Sequence, residues 1–168
     1  MASPVPHIEA AKLTLPEVIT GHTAGHAVPI NISATRLPVH FPGTGEIIAS
    51  LQEDDADQVK KAVAAARDRF QSGEWSQCSV DEKQRVLRGA AQAIRNHAHD
   101  LALQESLCAG LPFAHLAARQ IPRAADNFDF FADYIGQIAG ETFDQLHHYR
   151  TVVTRQPVGV AAIYTPWN

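Results

Sequence analysis

Pro157 to Tyr164 reads PVGVAAIY, an apolar run set between Arg155-Gln156 and Thr165-Pro166-Trp167-Asn168. Unbroken apolarity over this length is the pattern of a strand buried on both faces, as the parallel strands of α/β sheets are. A strand with one wet face alternates instead. Such a strand needs neighbours on both sides, and a parallel neighbour needs a crossover of about a dozen residues or more. Only Thr165 to Asn168 follow it. The run therefore reads as the first strand of a main sheet that these 168 residues do not complete.

Working back from that run, Tyr149 to Arg155 (YRTVVTR) alternates β-branched and basic residues like a half-exposed strand. A helical pattern spans Phe113 to Ile138, with Phe128, Phe131, Ala132, Ile135 and Ile138 three or four apart. Pro122 has no amide to donate and disfavours helix at the residue before it, which predicts a kink or break near Ile121. Leu101 to Cys108 form a short helix closed by Gly110 and Pro112, and Asn96 to Asp100 separate it from the helix before. That earlier helix opens on Ser79-Val80-Asp81-Glu82, a capping box, and its predicted buried face is Val86, Leu87, Ala90, Ala93 and Ile94. Further upstream, Asp54 to Asp57 start a helix of about four turns, with Val59, Ala62, Val63, Ala66 and Phe70 on one stripe.

Between residues 26 and 51, short apolar segments separated by turn residues predict two or three antiparallel strands. Gly43-Thr44-Gly45 sits before a short strand and lacks the further glycines of a phosphate loop, so it reads as a turn. Met1 to Gly25, broken by prolines and glycines, reads as a flexible leader.

The composition, 45% hydrophobic and 19% charged, is that of a folded chain. With 14 Lys and Arg against 18 Asp and Glu, and no basic stretch, nothing marks a reader of nucleic acid. The first twenty residues hold no apolar run long enough for a signal peptide or membrane span, so the expected location is cytoplasmic. Two cysteines make no disulfide framework, which agrees with a reducing compartment.

Neither Cys78 nor Cys108 is expected to act as a nucleophile. A reactive thiolate needs a base, a cation or a helix N-terminus nearby, whereas Cys108 falls at a helix end where the dipole opposes it. The histidine pairs His22 and His26, His97 and His99, and His147 and His148 rest on spacing alone and are not read as zinc ligands. Trp75, Phe128, Phe131 and Tyr134 are expected in the core rather than around a ligand.

RQPVGVAAIYTPWN (155–168) resembles the opening of the cofactor domain of the NAD(P)-dependent aldehyde dehydrogenases. FPGTGEIIA (41–49) is similar to that family's early strand-turn-strand, and ADQVKKAVAAARDRF (56–70) to its first helix. Glu105, Gly110 and Pro112 are similar to the loop before its long helix, and PRAADNFDFFADYIGQIAGET (122–142) to the helix itself. The likeness runs in order from about His40 to the end.

The resemblance implies an α/β fold of which this chain is the N-terminal part. Residues 26–142 would supply short antiparallel strands and three to four helices of the cofactor-binding domain, and 143–156 one oligomerisation-arm strand. Residues 157–168 would supply the first strand of a Rossmann-like parallel sheet, roughly two thirds of a family member being absent. The implied activity of the full-length protein is oxidation of an aldehyde to a carboxylic acid with NAD or NADP, through a cysteine thiohemiacetal. A homo-oligomer, dimer or tetramer, is implied for the full-length protein.

By position in the family's PWN segment, Asn168 is the implied oxyanion donor, and Thr165, Pro166 and Trp167 are implied to line the nicotinamide side of the cofactor site. A neutral amide suits that task, since it favours the oxyanion without first binding a proton, an effect of about 3 kcal/mol per donor in other enzymes. The sequence departs from the family at Cys108, where many members have a cation-binding acid, and at Leu111, where lysine is usual. Alone, the chain is expected to be inactive. The alternative is a truncated, non-catalytic helical interaction module.

Overall fold

Glu53 marks the point where strands give way to helices. In the computed structural model, which describes residues 15–145 and 148–165, the strands are β1 (Val18–Ile19), β2 (His22–Thr23), β3 (His26–Ala27), β4 (Arg36–His40) and β5 (Ile47–Gln52). β5 is central, antiparallel to β4 and parallel to β1, with Val18 opposite Ser50 and Val39 opposite Ala49. The turn joining β4 to β5 is the one expected at 42–45. The Thr44 and Gly45 amides both donate to the Phe41 carbonyl, at 3.2 and 2.8 Å, and Gly45 has φ +75°, which costs glycine nothing.

Two findings depart from the sequence reading. The parallel β1–β5 pairing and the β2–β3 hairpin tie residues 18–23 to the fold, although they fall in the stretch read as a leader. Two-residue strands are too short to show a period, and β1 is fixed by a partner thirty residues away rather than by its own sequence. On β5, Gln52 is buried and satisfied: its Oε1 accepts from the Asn31 amide at 2.7 Å, and its Nε2 donates to the Pro29 carbonyl at 3.2 Å.

Five helices follow. α1 (Ala56–Ser72) is capped by Asp55, whose carboxylate accepts from the Gln58 amide at 2.7 Å, and it stops at Gly73 in the left-handed region. α2 (Val80–Asn96) is capped by Ser79, whose hydroxyl accepts from the Glu82 amide at 3.1 Å. The second half of the expected box is replaced, because the Glu82 carboxylate pairs with Arg85 one turn on. α3 (Ala98–Ala109) ends at Gly110, φ +72°, whose amide donates to the Ser106 carbonyl at 2.9 Å.

The expected break at Pro122 takes a definite form. After α4 (Phe113–His115) the chain widens into a π turn over Leu116–Gln120, in which the Ile121 amide reaches back five residues to Leu116, and α5 (Ile121–Tyr134) resumes with Pro122 in its first turn. The wide turn accommodates a residue that cannot donate its own bond.

α2 and α5 pack antiparallel. Ala91 of α2 and Ala125 and Ala132 of α5 are fully buried, so small side chains let the two helices approach. Arg88 binds Asp133 at 2.6 Å, and Arg95 binds both Asp126 and Asp129 at 2.8 and 2.7 Å. The half-buried stripe of α2 is Leu87, Ala91 and Ile94; Val86 and Ala93, expected on it, are exposed. Val59, Val63 and Phe70 on α1, and Phe128, Phe131 and Tyr134 on α5, are likewise exposed rather than in a core. Their periodicity is real, but no described element covers those faces.

After a short 3-10 turn (Ile135–Gln137), β6 (Glu141–Gln145) and β7 (Tyr149–Val153) form an exposed antiparallel hairpin, with Asp144 opposite Arg150 and bound to it at 2.8 Å. β7 is the strand expected at 149–155, whereas β6, too polar to stand out, is recognisable only once paired. Pro157 to Tyr164 departs most from expectation. It carries no regular strand and is exposed throughout, with Val158 at 103% and Ile163 at 82% of full exposure. Among the described residues no strand lies beside it, and without neighbours an apolar run cannot be buried on two faces.

Two tests follow from the packing. Leu116, the largest side chain to be fully buried among the described residues, is 1% exposed. Leu116→Ala should lower the unfolding free energy by about 3 kcal/mol, read as a lower urea midpoint at unchanged slope. Arg85 holds the Glu82 carboxyl below its ordinary value, against a smaller opposing effect of desolvation. A lowered carboxyl pKa contributes stability above the ordinary value that is lost as pH falls through the lowered one. Glu82→Gln should therefore reduce Tm at pH 7, with the difference from the parent vanishing once the pH is below the lowered pKa.

Candidate functional site

The left-handed Gly73 ends α1 and turns the chain so that Trp75 and Ser76 lie beside the end of that helix. The turn is fastened by the Gln77 amide on the Gly73 carbonyl at 2.9 Å, by an Arg69–Glu74 ion pair, and by Lys83 Nζ donating to the Ser76 carbonyl at 3.2 Å. Cys78 Sγ donates to the Trp75 carbonyl at 3.1 Å. Together these elements wall a cavity of about 530 Å³, with Phe70 and Trp75 on one side and Pro157 and Gly159 on the other.

Pro157 and Gly159 thus line a cavity with the end of α1 while the run stays exposed along its length. Gly159 has φ +121°, where any side chain strains the backbone, and a Cβ there would lie 3.9 Å from the Phe70 ring, an ordinary contact. Backbone conformation rather than lack of space calls for glycine.

Of the residues implied as site groups, Thr165 is exposed and outside regular secondary structure, while Pro166, Trp167 and Asn168 lie outside the described residues. The structure brings the start of the run to Phe70 and Trp75 and brings no described acid, base or thiol to Thr165. The Phe70–Trp75 seat escaped the sequence reading. Its one signal was Gly159, a glycine inside an otherwise unbroken apolar run.

At Cys108 the surroundings oppose a thiolate. Burial pushes the Cys108 thiol above its ordinary value, and the nearby Glu105 carboxylate pushes it the same way. His22 and His26 lie on paired strands, opposite Ala27 and Thr23. The His99 ring meets Phe113 edge-on at 5.3 Å. Among the described residues no three His, Cys, Asp or Glu side chains are grouped to hold a metal ion, and no helix is long and apolar enough to cross a membrane.

A second cavity, about 710 Å³, lies between the loop before β4 and the start of α1 and includes Asn31, Gln52, Asp55, Asp57 and Lys61 in its walls. Three of its polar groups are occupied within the fold: Gln52 holds the Asn31 amide, Asp55 caps α1, and Asp57 pairs with Lys60 at 2.9 Å.

Comparison with known proteins supplies what the described residues alone cannot. The sequence model described as "Aldehyde dehydrogenase family" matches residues 30–168. The chain is 33% identical over 163 residues to aldehyde dehydrogenase family 2 member B4, mitochondrial, of Arabidopsis thaliana, a match covering 95% of this chain and 30% of that protein. It is 34% identical over 127 residues to the NADP/NAD-dependent aldehyde dehydrogenase PuuC of Escherichia coli K12, covering 76% of this chain and 26% of PuuC. The fold matches that of P. syringae indole-3-acetaldehyde dehydrogenase, solved in complex with NAD+ and IAA. The TM-score is 0.80 at 26% identity, over 90% of this chain and 30% of that one. The chain spans 26–30% of the length of these relatives. The match runs over residues 30–168, and the chain belongs to the aldehyde dehydrogenase family.

Proposed function

We propose that this chain is the leading portion of an NAD(P)-dependent enzyme that oxidises an aldehyde to its carboxylic acid. The observation that carries the reading is the family match over residues 30–168, which runs through the PWN segment. In the assembled enzyme Asn168 donates its side-chain amide to the oxyanion that forms when a cysteine thiolate adds to the aldehyde carbonyl. Thr165, Pro166 and Trp167 line the nicotinamide side of the cofactor site. NAD or NADP, when bound, accepts the hydride released as the carbonyl carbon is oxidised.

The nucleophile and the general base are assigned to residues other than those of this chain. A thiol raised by burial, as Cys108 is, supplies too little thiolate at neutral pH. The β6–β7 hairpin is the arm through which full-length copies associate as a dimer or tetramer; with every residue of both strands exposed, a partner is what would cover it. The composition and the two free thiols favour a cytoplasmic setting.

The assay is direct. The purified 168-residue chain with NAD or NADP and a panel of aldehydes should give no NAD(P)H absorbance above blank. Joined to the remainder of PuuC it should turn over, and Asn168→Ala there should lower kcat by about a hundredfold or more. Turnover by the chain alone, or an Asn168→Ala enzyme of undiminished kcat, would overturn the assignment. For the thiol, Cys108 in a Cys78→Ser background should react with iodoacetamide more slowly than glutathione at pH 8. Its rate should rise to a plateau only above pH 9, beyond the ordinary thiol value of 9.0.

A further inference from the structure

We propose that Arg119 and Arg123, with His115 beside them, form a binding site for a carboxylate, and that the aldehyde itself bears this carboxylate. The substrate is then a semialdehyde with an acid group remote from its carbonyl. The second half rests on the functional reading above; the first half does not.

The charges of α5 are sorted onto two edges. All three of its acids are occupied from α2, Asp133 by Arg88, and Asp126 and Asp129 by Arg95. The remaining arginine of α2, Arg85, is paired as well, with Glu82. Arg119 and Arg123 are treated differently. Both are exposed, and among the described residues neither guanidinium has an ion-pair or hydrogen-bond partner. The carboxylates that could neutralise them from their own helix are held at its other edge by α2. Two fixed positive charges with no counter-charge attract an anion from solution.

The π turn sets these residues in a row. His115, Arg119 and Arg123 are four residues apart, and in a plain α-helix each such step drifts about 40° round the axis. The wide turn over Leu116–Gln120, closed by the Ile121 amide on the Leu116 carbonyl, takes up that drift. It also brings Gln120 Nε2 to His115 Nε2 at 3.2 Å. With Nε2 accepting, the neutral ring carries its proton on Nδ1, a further donor beside the arginines. Pro122 accounts for a relaxed turn, but not for two unpaired arginines placed on and just after it. Wide turns of this kind recur at functional sites.

The donor set selects the ligand. Each guanidinium is a planar fork that can give a carboxylate two parallel N–H···O bonds. A polyanion needs a longer run of cations than two, and with 14 Lys and Arg against 18 Asp and Glu the chain offers none. A small acid is what two forks one turn apart can satisfy. For an enzyme acting on aldehydes, a remote acid group is also a handle by which one aldehyde is told from another. A site made to bind such a group rejects the analogue that lacks it.

The test has two arms. In the first, labelled succinate is titrated into the 168-residue chain at low ionic strength and followed by nuclear magnetic resonance. Saturable binding below about 10 mM is expected. Arg119→Gln and Arg123→Gln should each weaken it about tenfold, and Arg123→Lys, which keeps the charge and loses the fork, should weaken it less. Arg67→Gln, at an exposed arginine of α1, should leave it unchanged. All these side chains are exposed, so circular dichroism should match the parent. No saturable binding, binding indifferent to both glutamine variants, or phosphate bound as tightly as succinate would overturn the carboxylate site.

In the second arm, the enzyme formed with the remainder of PuuC is given succinic semialdehyde and butanal. The ratio of their kcat/KM values should favour the acid, and Arg123→Gln should lower that ratio about tenfold, through KM. Succinate binding combined with a ratio that neither arginine moves would make the ligand a free carboxylate and overturn the substrate assignment. An enzyme inert toward both aldehydes would overturn the catalytic reading and the substrate assignment with it, while the titration alone upholds or overturns the site.

Discussion

The helices after Ser79 depend on the contact of α2 with α5. Alanine at 91, 125 and 132 lets the two backbones approach, and the approach brings Arg88 and Arg95 within reach of Asp133, Asp126 and Asp129. Exposed ion pairs contribute little individually. A guanidinium shared by two carboxylates one turn apart nevertheless fixes which turn of α2 faces which turn of α5. Those carboxylates raise the Arg95 pKa further above its already high ordinary value, so the fork holds across the working pH range. The π turn at Leu116–Gln120 feeds α5 into that contact despite Pro122.

A contact built on alanine buries little area, and this decides the rest. With small residues inward, the large apolar side chains of these helices point elsewhere, Phe130, Phe131 and Tyr134 among them, with Phe130 stacked on Tyr134 at 6.0 Å. An exposed aromatic row on one helix, an exposed valine row on another and an exposed apolar run form one pattern. Layers pack against layers, and here the inner faces of two layers are built ahead of the third.

The local chemistry of the fold could be read from the sequence because its causes are local. Asp55 and Ser79 cap helices since a short oxygen-bearing side chain can reach an amide three residues on. Gly73 and Gly110 end helices since the left-handed backbone costs them nothing, and Pro122 interrupts one because it has no amide. Pairings between distant residues could not be read that way. β1 lies beside β5 only because the chain returns there, and β6 is too polar to be distinguished from loop. Periodicity identified the helices but not the phase of their contacts. On α2 the packed stripe centres on Ala91, because a close crossing favours the smallest side chain over the Val86 that hydrophobicity alone would choose. The candidate site residues Thr165 to Asn168 rest on family likeness alone: an Asn after Pro-Trp has no chemistry until something holds it.

A strand advances about 3.3 Å per residue, so Thr165 lies on the order of 25 Å from the seat of Pro157 when the run is extended. A donor that stabilises an oxyanion must be placed within about 0.5 Å, and an exposed run with no paired neighbour cannot place its far end to that tolerance. Ladder hydrogen bonds on both sides can, because they fix each residue of the strand in turn. The double-sided apolarity of PVGVAAIY and a fixed far end are thus one requirement: the strands that would bury the run are the ones that would hold its last residues in place.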